Sequence, residues 1–159
     1  MRIEIRRYNL TEEYIDGSLY IGGRRSCSTV ENTASSLPAG AYPVVMHHCA
    51  RRGKDVPVIL TRGIKSRPRC SRCKQVELSG LNTAMPCFCP QLGVGNGMCN
   101  RHDGAVLVGT SCPPGCLIHT QPVFERVSRL LQRVSDNGGS IRLVITDPFD
   151  ASADLNVDD

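Results

Sequence analysis

The sequence is poor in aromatic side chains: its 159 residues include no Trp, three Phe and four Tyr. Aliphatic side chains must therefore form most of the hydrophobic core. No segment contains the run of about 20 apolar residues that a membrane-spanning helix requires, so we expect no membrane span. Residues 1–10 alternate charged residues with Ile and lack the apolar stretch of a signal peptide, so we expect no export signal either.

Charge is distributed unevenly along the chain. The formal net charge is +4, but residues 147–159 contain five Asp and no basic residue, and we expect them to form a disordered acidic tail. Residues 51–74 contain nine Lys and Arg against Asp55 alone, which predicts a positive patch. Between residues 51 and 121 the only aromatic residue is Phe88, so stacking side chains are lacking and we expect no nucleic acid partner.

Hydrophobic periodicity predicts mostly strands in residues 1–60 and a strand, helix, strand order near the C-terminal end. Residues 2–6 alternate polar and apolar side chains, as a half-buried strand does. Thr120 is expected to cap the helix and Gly138 to follow it as the C′ glycine. Apolar residues recur along the helix at Val123, Val127, Leu130, Leu131 and Val134.

These elements predict a mainly β (α+β) fold, a small sheet or barrel-like domain with one C-terminal helix. We place this single domain at residues 1–146. Residues 63–103 contain three Pro and five Cys and show little periodicity, so we interpret them as an irregular, Cys-rich insertion.

Nine cysteines in a chain without an export signal favour metal ligands, reduced thiols or a nucleophile over a disulfide framework. Four of them form a C-x2-C-x13-C-x-C pattern, which can close a tetrahedral Zn²⁺ site. The ligands that we predict are Cys70, Cys73, Cys87 and Cys89, with Cys99 and His102 as alternates. Such a zinc ion would be structural, since four protein ligands leave no position for a catalytic water. The alternative is a set of reduced, unliganded thiols.

Two groups of motifs carry a resemblance to a known family. One is Gly95-Asn96, followed by Asp103-Gly104-Ala105-Val106-Leu107-Val108-Gly109 and by Phe124 in the helix. The other is Ser28-Thr29-Val30-Glu31, followed by Leu37-Pro38-Ala39-Gly40-Ala41-Tyr42. In this order they resemble an uncharacterised phage- and bacterium-associated family, domain of unknown function 5675. The resemblance covers residues 2–146 with gaps.

This family is in turn similar to the YkuD-type L,D-transpeptidase fold, a β-rich domain in which a Cys thiolate attacks a peptidoglycan peptide. The resemblance implies a phage- or mobile-element-type protein that is cytoplasmic or virion-associated. It implies peptidoglycan peptides, or a phage or virion protein, as partners. It also implies Cys-dependent acyl transfer or peptide hydrolysis, if the catalytic groups are retained.

Two placements of the nucleophile compete. Alignment on the family motifs puts Ala105 at the position of the Cys and Gly93 at that of the His, so acyl transfer would be lost. Alignment on the transpeptidase Ser-x-Gly-Cys run instead makes Cys116 the nucleophile and His102 its base, although more than one residue separates Ser111 from Gly115. We favour the first placement because it keeps more consecutive family residues.

A function of a different class is also open. The chain can be a non-enzymatic interaction or virion-associated module, held together by the zinc site and binding its partner through the positive patch. If His102 binds the metal, it cannot also serve as the base for Cys116.

Overall fold

The computed structural model describes residues 1–49, 53–60, 76–77, 84–85, 91–97 and 105–148. Within these ranges the chain forms mainly β-strands and one C-terminal helix, which confirms the predicted fold class. In chain order the elements are β1 (Arg2–Leu10), β2 (Tyr14–Ile21), β3 (Arg24–Asn32), a 3-10 turn (Thr33–Ser35), β4 (Gly40–Cys49), β5 (Lys54–Ile59), β6 (Val76–Glu77), β7 (Ala84–Met85), β8 (Gln91–Gly93), β9 (Ala105–Ser111), β10 (Leu117–Ile118), α1 (Thr120–Asp136) and β11 (Ile141–Thr146).

Eight of these strands close into a barrel. Their order is β9-β3-β2-β1-β11-β4-β5-β8, and β8 pairs again with β9 to complete the ring. The pairs β1–β11 and β8–β9 are parallel, and the other described pairs of the ring are antiparallel. The short strand β10 pairs with the last two residues of β9. Strands β6 and β7 form a separate two-stranded sheet.

The alternation of side chains along each strand separates an inner face from an outer face. Along β1, Ile3 and Ile5 are buried, and Arg7 lies on the same inner face. Along β11, Ile141, Leu143 and Ile145 are buried in the same way. Among the fully buried side chains of the described residues, Phe124 is the aromatic one, so the core is aliphatic as the composition predicts.

The helix α1 packs its apolar side against this core, with neighbours on β4, β5, β9 and β11. Val123, Phe124, Val127 and Leu131 are buried, whereas Leu130, which we assigned to the same face, is 37% exposed. The helical period is therefore confirmed, and its buried stripe is narrower than the sequence suggested.

The sequence predicted the C-terminal end of α1 correctly and its N-terminal cap incorrectly. Gly138 has a φ of 74° and follows the cap residue Asn137, as expected of a C′ glycine. The prediction that Thr120 caps the helix is wrong: Thr120 is its first residue, and the cap is His119, in a left-handed conformation without a side-chain cap bond. The methyl group of Thr120 lies close to Gly109 of β9, so this side chain packs against the sheet.

The predicted insertion at residues 63–103 is described only in part. One described piece of it is β8, a strand of the barrel, so this stretch is not irregular throughout. Of the predicted acidic tail, only Asp147 and Pro148 lie within the described residues. The disordered tail therefore stays a prediction.

Candidate functional site

The two positions that the favoured alignment assigns to the catalytic pair lie on neighbouring strands. Gly93 is on β8 and Ala105 is on β9, and in the parallel register Gln91 pairs with Ala105 and Gly93 with Leu107. Neighbouring strands lie about 4.8 Å apart and each residue advances about 3.3 Å, so the Cα atoms of residues 93 and 105 are about 8 Å apart. Both positions also belong to the same face of the sheet. A Cys and a His would fit this spacing, but a hydrogen and a methyl group cannot perform acyl transfer.

That face is the outer face of the barrel, and it carries a small apolar cluster beside the two positions. Val30 pairs with Leu107 across β3 and β9. These two side chains pack with Leu117 of β10, and the partly buried Tyr14 contacts them. We call these four residues the outer cluster. It is separate from the barrel core, and because Val30, Leu107 and Leu117 are only 2–3% exposed, it forms a small second core next to residues 93 and 105.

The competing nucleophile, Cys116, lies in the turn between β9 and β10. Cys112 and Cys116 face each other across Pro113-Pro114-Gly115, with the Cys112 amide donating to the Cys116 carbonyl at 3.5 Å. The turn is fixed to the barrel wall, because the Gly115 amide donates to a carboxylate oxygen of Asp16 at 2.9 Å. Cys116 also bridges to Gly97, in the connection from β8 to β9.

Both thiols line a cleft of about 270 Å³ on the outer face, together with Asp16, Ser28 and Tyr8. Cys116 is half-buried, so it is not the small core residue that Cys often is. Burial, and next the Asp16 carboxylate, raise the pKa of Tyr8, while Arg25 lowers it. No described histidine lines this cleft, and His102 lies outside the described residues. The pairing of Cys116 with His102 therefore stays a prediction.

A third cysteine, Cys27 on β3, is buried against the core. Burial raises the pKa of the Cys27 thiol to about 11, although the nearby Arg126 and Arg25 lower it. A thiol with such a pKa is protonated at neutral pH and is a poor nucleophile. Cys27 therefore contributes to packing.

An ionic cluster around Arg7 is buried on the inner face of β1. Arg7 donates to both carboxylate oxygens of Glu31, through Nε at 2.9 Å and Nη2 at 2.6 Å. It also donates to the Leu37 carbonyl at 2.7 Å and to Asp147 at 3.0 Å. Burial lowers the pKa of Arg7, but the hydrogen bonds and charges of Glu31 and then Asp147 outweigh it and leave that pKa raised. The cluster connects β1 and β3 to the segments that precede β4 and follow β11.

A groove lies between the β2–β3 turn and the solvent side of α1. We call it the arginine groove, because Arg24, Arg25, Arg126, Arg129 and Arg133 line it. The sequence placed Arg126, Arg129 and Arg133 on the polar side of the helix but gave no sign that Arg24 and Arg25 face them. The available signal was the Gly22-Gly23 turn, which directs the two arginines back along β3.

The predicted zinc ligands Cys70, Cys73, Cys87, Cys89, Cys99 and His102 all lie outside the described residues. Within the described ranges, no group of three or more His, Cys, Asp or Glu side chains forms a metal site. The zinc site therefore stays a prediction. The positive patch is also mostly outside, and of its charged residues the structure describes Lys54, which lies 5.2 Å from the Phe124 ring centre, and Asp55, which pairs with His48.

Among the described residues, no helix has the length and apolarity needed to cross a bilayer. Comparisons with protein-family models, with curated proteins and with solved structures found no match. Any function must therefore be inferred from the residues and their arrangement.

Proposed function

We propose that this chain is a phage- or mobile-element-type relative of L,D-transpeptidases that binds peptidoglycan peptides without cleaving them. One observation carries the proposal: residues 93 and 105 lie on the same face of two paired strands, at a separation that suits a Cys–His pair. In this chain they are Gly and Ala, which removes both the nucleophile and the base. The peptide partner is an expectation from the family resemblance.

The neighbouring surface supports binding. Tyr14 is the member of the outer cluster that a ligand can contact, because the other three are 2–3% exposed. The cleft next to the cluster is lined by polar groups, among them the exposed Tyr8 and the half-buried Cys112 and Cys116. Small-ligand sites commonly combine an apolar wall with a few polar groups that fix orientation.

Binding and catalysis can be tested separately with one peptidoglycan tetrapeptide. Isothermal titration calorimetry should detect binding to the wild-type protein, and mass spectrometry should find neither a covalent adduct nor a cleaved peptide. The variant Tyr14→Ala removes the partly exposed member of the outer cluster and should weaken binding. Ile118→Ala is its control, because Ile118 is 46% exposed and lies outside the cluster. Absence of binding to the wild type would contradict the proposal.

A gain-of-function variant tests the assignment of residues 93 and 105. In Gly93→His/Ala105→Cys, the introduced thiolate should attack a peptide carbonyl, form a thioester and release the C-terminal amino acid, with the imidazole protonating the leaving amine. Ala105→Cys alone should react far more slowly. Gly93 is buried, so circular dichroism must first show that the double variant is folded.

The second placement makes a different prediction. If the wild-type protein cleaves the peptide and Cys116→Ser abolishes this activity, Cys116 is the nucleophile and the non-catalytic proposal is wrong. Cys112→Ser is the matched control, because it removes the other thiol of the same turn.

A non-enzymatic interaction module is the second candidate function. The arginine groove, a second cationic surface in addition to the predicted positive patch, favours it, since five arginines against Glu125 give the charge excess that is typical of a binding surface. Its zinc site remains to be tested by metal analysis of the purified protein: stoichiometric zinc that is lost in Cys70→Ser would support it. Absence of zinc would remove the metal from this candidate.

A further inference from the structure

The arginine groove is not used by the proposed peptidoglycan binding, and it is the cationic surface of the second candidate function, the interaction module. It has a volume of about 670 Å³ and is bounded by the β2–β3 turn on one side and α1 on the other. Its apolar lining, which we call the floor, is formed by Ile21, Pro122 and Leu130, since Val127 is only 1% exposed. Leu130 has 37% of its surface accessible.

The charges of the groove are not neutralised by the described part of the chain. None of the five arginines forms an ion pair with a described carboxylate, whereas Arg2, Arg6 and Arg7, elsewhere in the fold, all do. Glu125 is the one carboxylate in the lining, and it accepts a hydrogen bond from Gln121 at 2.7 Å. The groove therefore holds five positive charges against one negative charge.

Two of the arginines are held in place by neutral groups. Arg25 donates to the hydroxyls of Ser18 and Ser28 at 3.2 and 2.8 Å. Arg126 donates to the Ser26 carbonyl at 2.9 Å. These bonds orient the guanidinium groups without cancelling their charge, so both keep donors for an anionic ligand.

We propose that the arginine groove binds an extended acidic peptide of a partner protein, with alternating carboxylate and aliphatic side chains. Arg129 and Arg133 are four residues apart on α1, about 6 Å along the helix axis. Side chains on one face of an extended peptide repeat about every 6.6 Å, so successive carboxylates match this spacing. The intervening aliphatic side chains face the apolar floor, and each carboxylate accepts paired hydrogen bonds from a guanidinium group.

A nucleic acid fits these observations less well. Its phosphate backbone has no apolar group to cover the floor of the groove. The lining also contains no aromatic side chain on which bases could stack. The combination of an apolar floor with cationic walls therefore favours the acidic peptide.

The test uses the full chain and a fluorescent peptide in which Asp alternates with Leu and Ser, measured by fluorescence anisotropy. The double variant Arg129→Glu/Arg133→Glu should lower the affinity about tenfold or more, because two attractions become repulsions. Arg142→Glu is the matched control, an exposed arginine on β11 outside the groove, and should leave the affinity unchanged. Added salt should weaken binding.

Further measurements make the result specific. A peptide with Asn in place of Asp should not bind the wild type. Circular dichroism should show that the double variant is folded. Leu130→Ser should also reduce affinity for the acidic peptide, because the floor loses apolar contact.

Three outcomes would overturn the proposal. Equal affinity of the wild type and the double variant would show that the peptide does not use the groove. Tighter binding of duplex DNA than of the peptide, lost in the same double variant, would make nucleic acid the occupant. A gain of affinity on changing Asp150, Asp154, Asp158 and Asp159 to Asn would show that the chain's own acidic tail occupies the groove. All three outcomes are independent of tetrapeptide binding at the outer cluster.

Discussion

The buried pair of Arg7 and Glu31 gives the sharpest prediction about stability. The two side chains are 3% and 2% exposed, and Glu31 supplies the carboxylate closest to the guanidinium group. The substitution Glu31→Gln keeps the shape but removes the charge, so Arg7 keeps only the partly exposed Asp147 as an anion. Removal of one member of a buried pair costs about 3–5 kcal/mol. Because Gln retains one acceptor, we expect a loss of about 3 kcal/mol.

Urea denaturation followed by circular dichroism measures this loss, provided that unfolding is two-state. For a chain of this size, about 3 kcal/mol corresponds to a fall in Tm of about 6–12 °C. Glu4→Gln is the matched control. Glu4 also pairs with arginines, Arg2 and Arg6, but both arginines are largely exposed, so its loss should be below about 1 kcal/mol.

The double variant Arg7→Met/Glu31→Leu separates the pair from the burial of a single charge. Both members of the pair are replaced by apolar side chains, so neither Arg7 nor Glu31 remains as a buried charge without the other. This variant should therefore be more stable than Glu31→Gln. The Leu37 carbonyl loses one donor in exchange, which costs about 1 kcal/mol. If Glu31→Gln is within about 0.5 kcal/mol of the wild type at an unchanged m-value, the reasoning about the buried pair is wrong.

The remaining predictions concern the packing of α1, the Cys27 thiol and the turn that carries Cys116. Leu131→Ala should destabilise the fold by about 2–5 kcal/mol in a urea titration, whereas Leu130→Ala, its exposed neighbour, should cost below about 1 kcal/mol; equal losses would contradict the burial pattern. Cys27, with its pKa raised to about 11, should be alkylated about 100-fold more slowly at pH 8 than in urea-unfolded protein, as peptide mass spectrometry would show. Since the same thiol ionises near pH 9 when unfolded, its contribution to stability is present below pH 9 and lost as the pH rises to 11; a Cys27→Ala variant with an equally steep decline would contradict this. Gly97→Ala should destabilise the turn that carries Cys116, because Gly97 has a φ of 83° and a methyl group there overlaps the Gly115 carbonyl; hydrogen exchange at the Leu117 amide measures the effect.

The parts of the fold that the sequence predicted depend on local signals. The alternation in residues 2–6 and in β11 follows directly from one buried face of a strand. The helical period of α1 likewise identified Val127 and Leu131 as buried. Such patterns need no knowledge of what the element packs against.

The parts that it missed depend on contacts between distant residues. β8 has three residues, too few for a periodic pattern, and its place in the barrel comes from pairing with β5 and β9. The buried charge of Arg7 is neutralised by Glu31, 24 residues later. Arg126 donates to the Ser26 carbonyl of β3 across 100 residues. No local rule connects these residues.

The candidate site shows the same division. The motif that contains Ala105 was visible in the sequence, but only the parallel register places that residue on one face with Gly93. Cys112 and Cys116 lie opposite each other because of the turn between β9 and β10, which the sequence did not predict as a hairpin. The sequence therefore identified the candidate residues, but not the residues that lie next to them in the fold.

The closing strand β8 has a consequence for how the protein resists aggregation. Within the described residues, each strand of the ring has a partner on both sides, so the barrel presents no open edge for addition of a strand from another molecule. The contact between β5 and β8 is short, because these strands pair through the single register pair Val58 and Gln91. Local opening at this pair frees the edges of β5 and β8 together, and we expect intermolecular strand exchange to begin there.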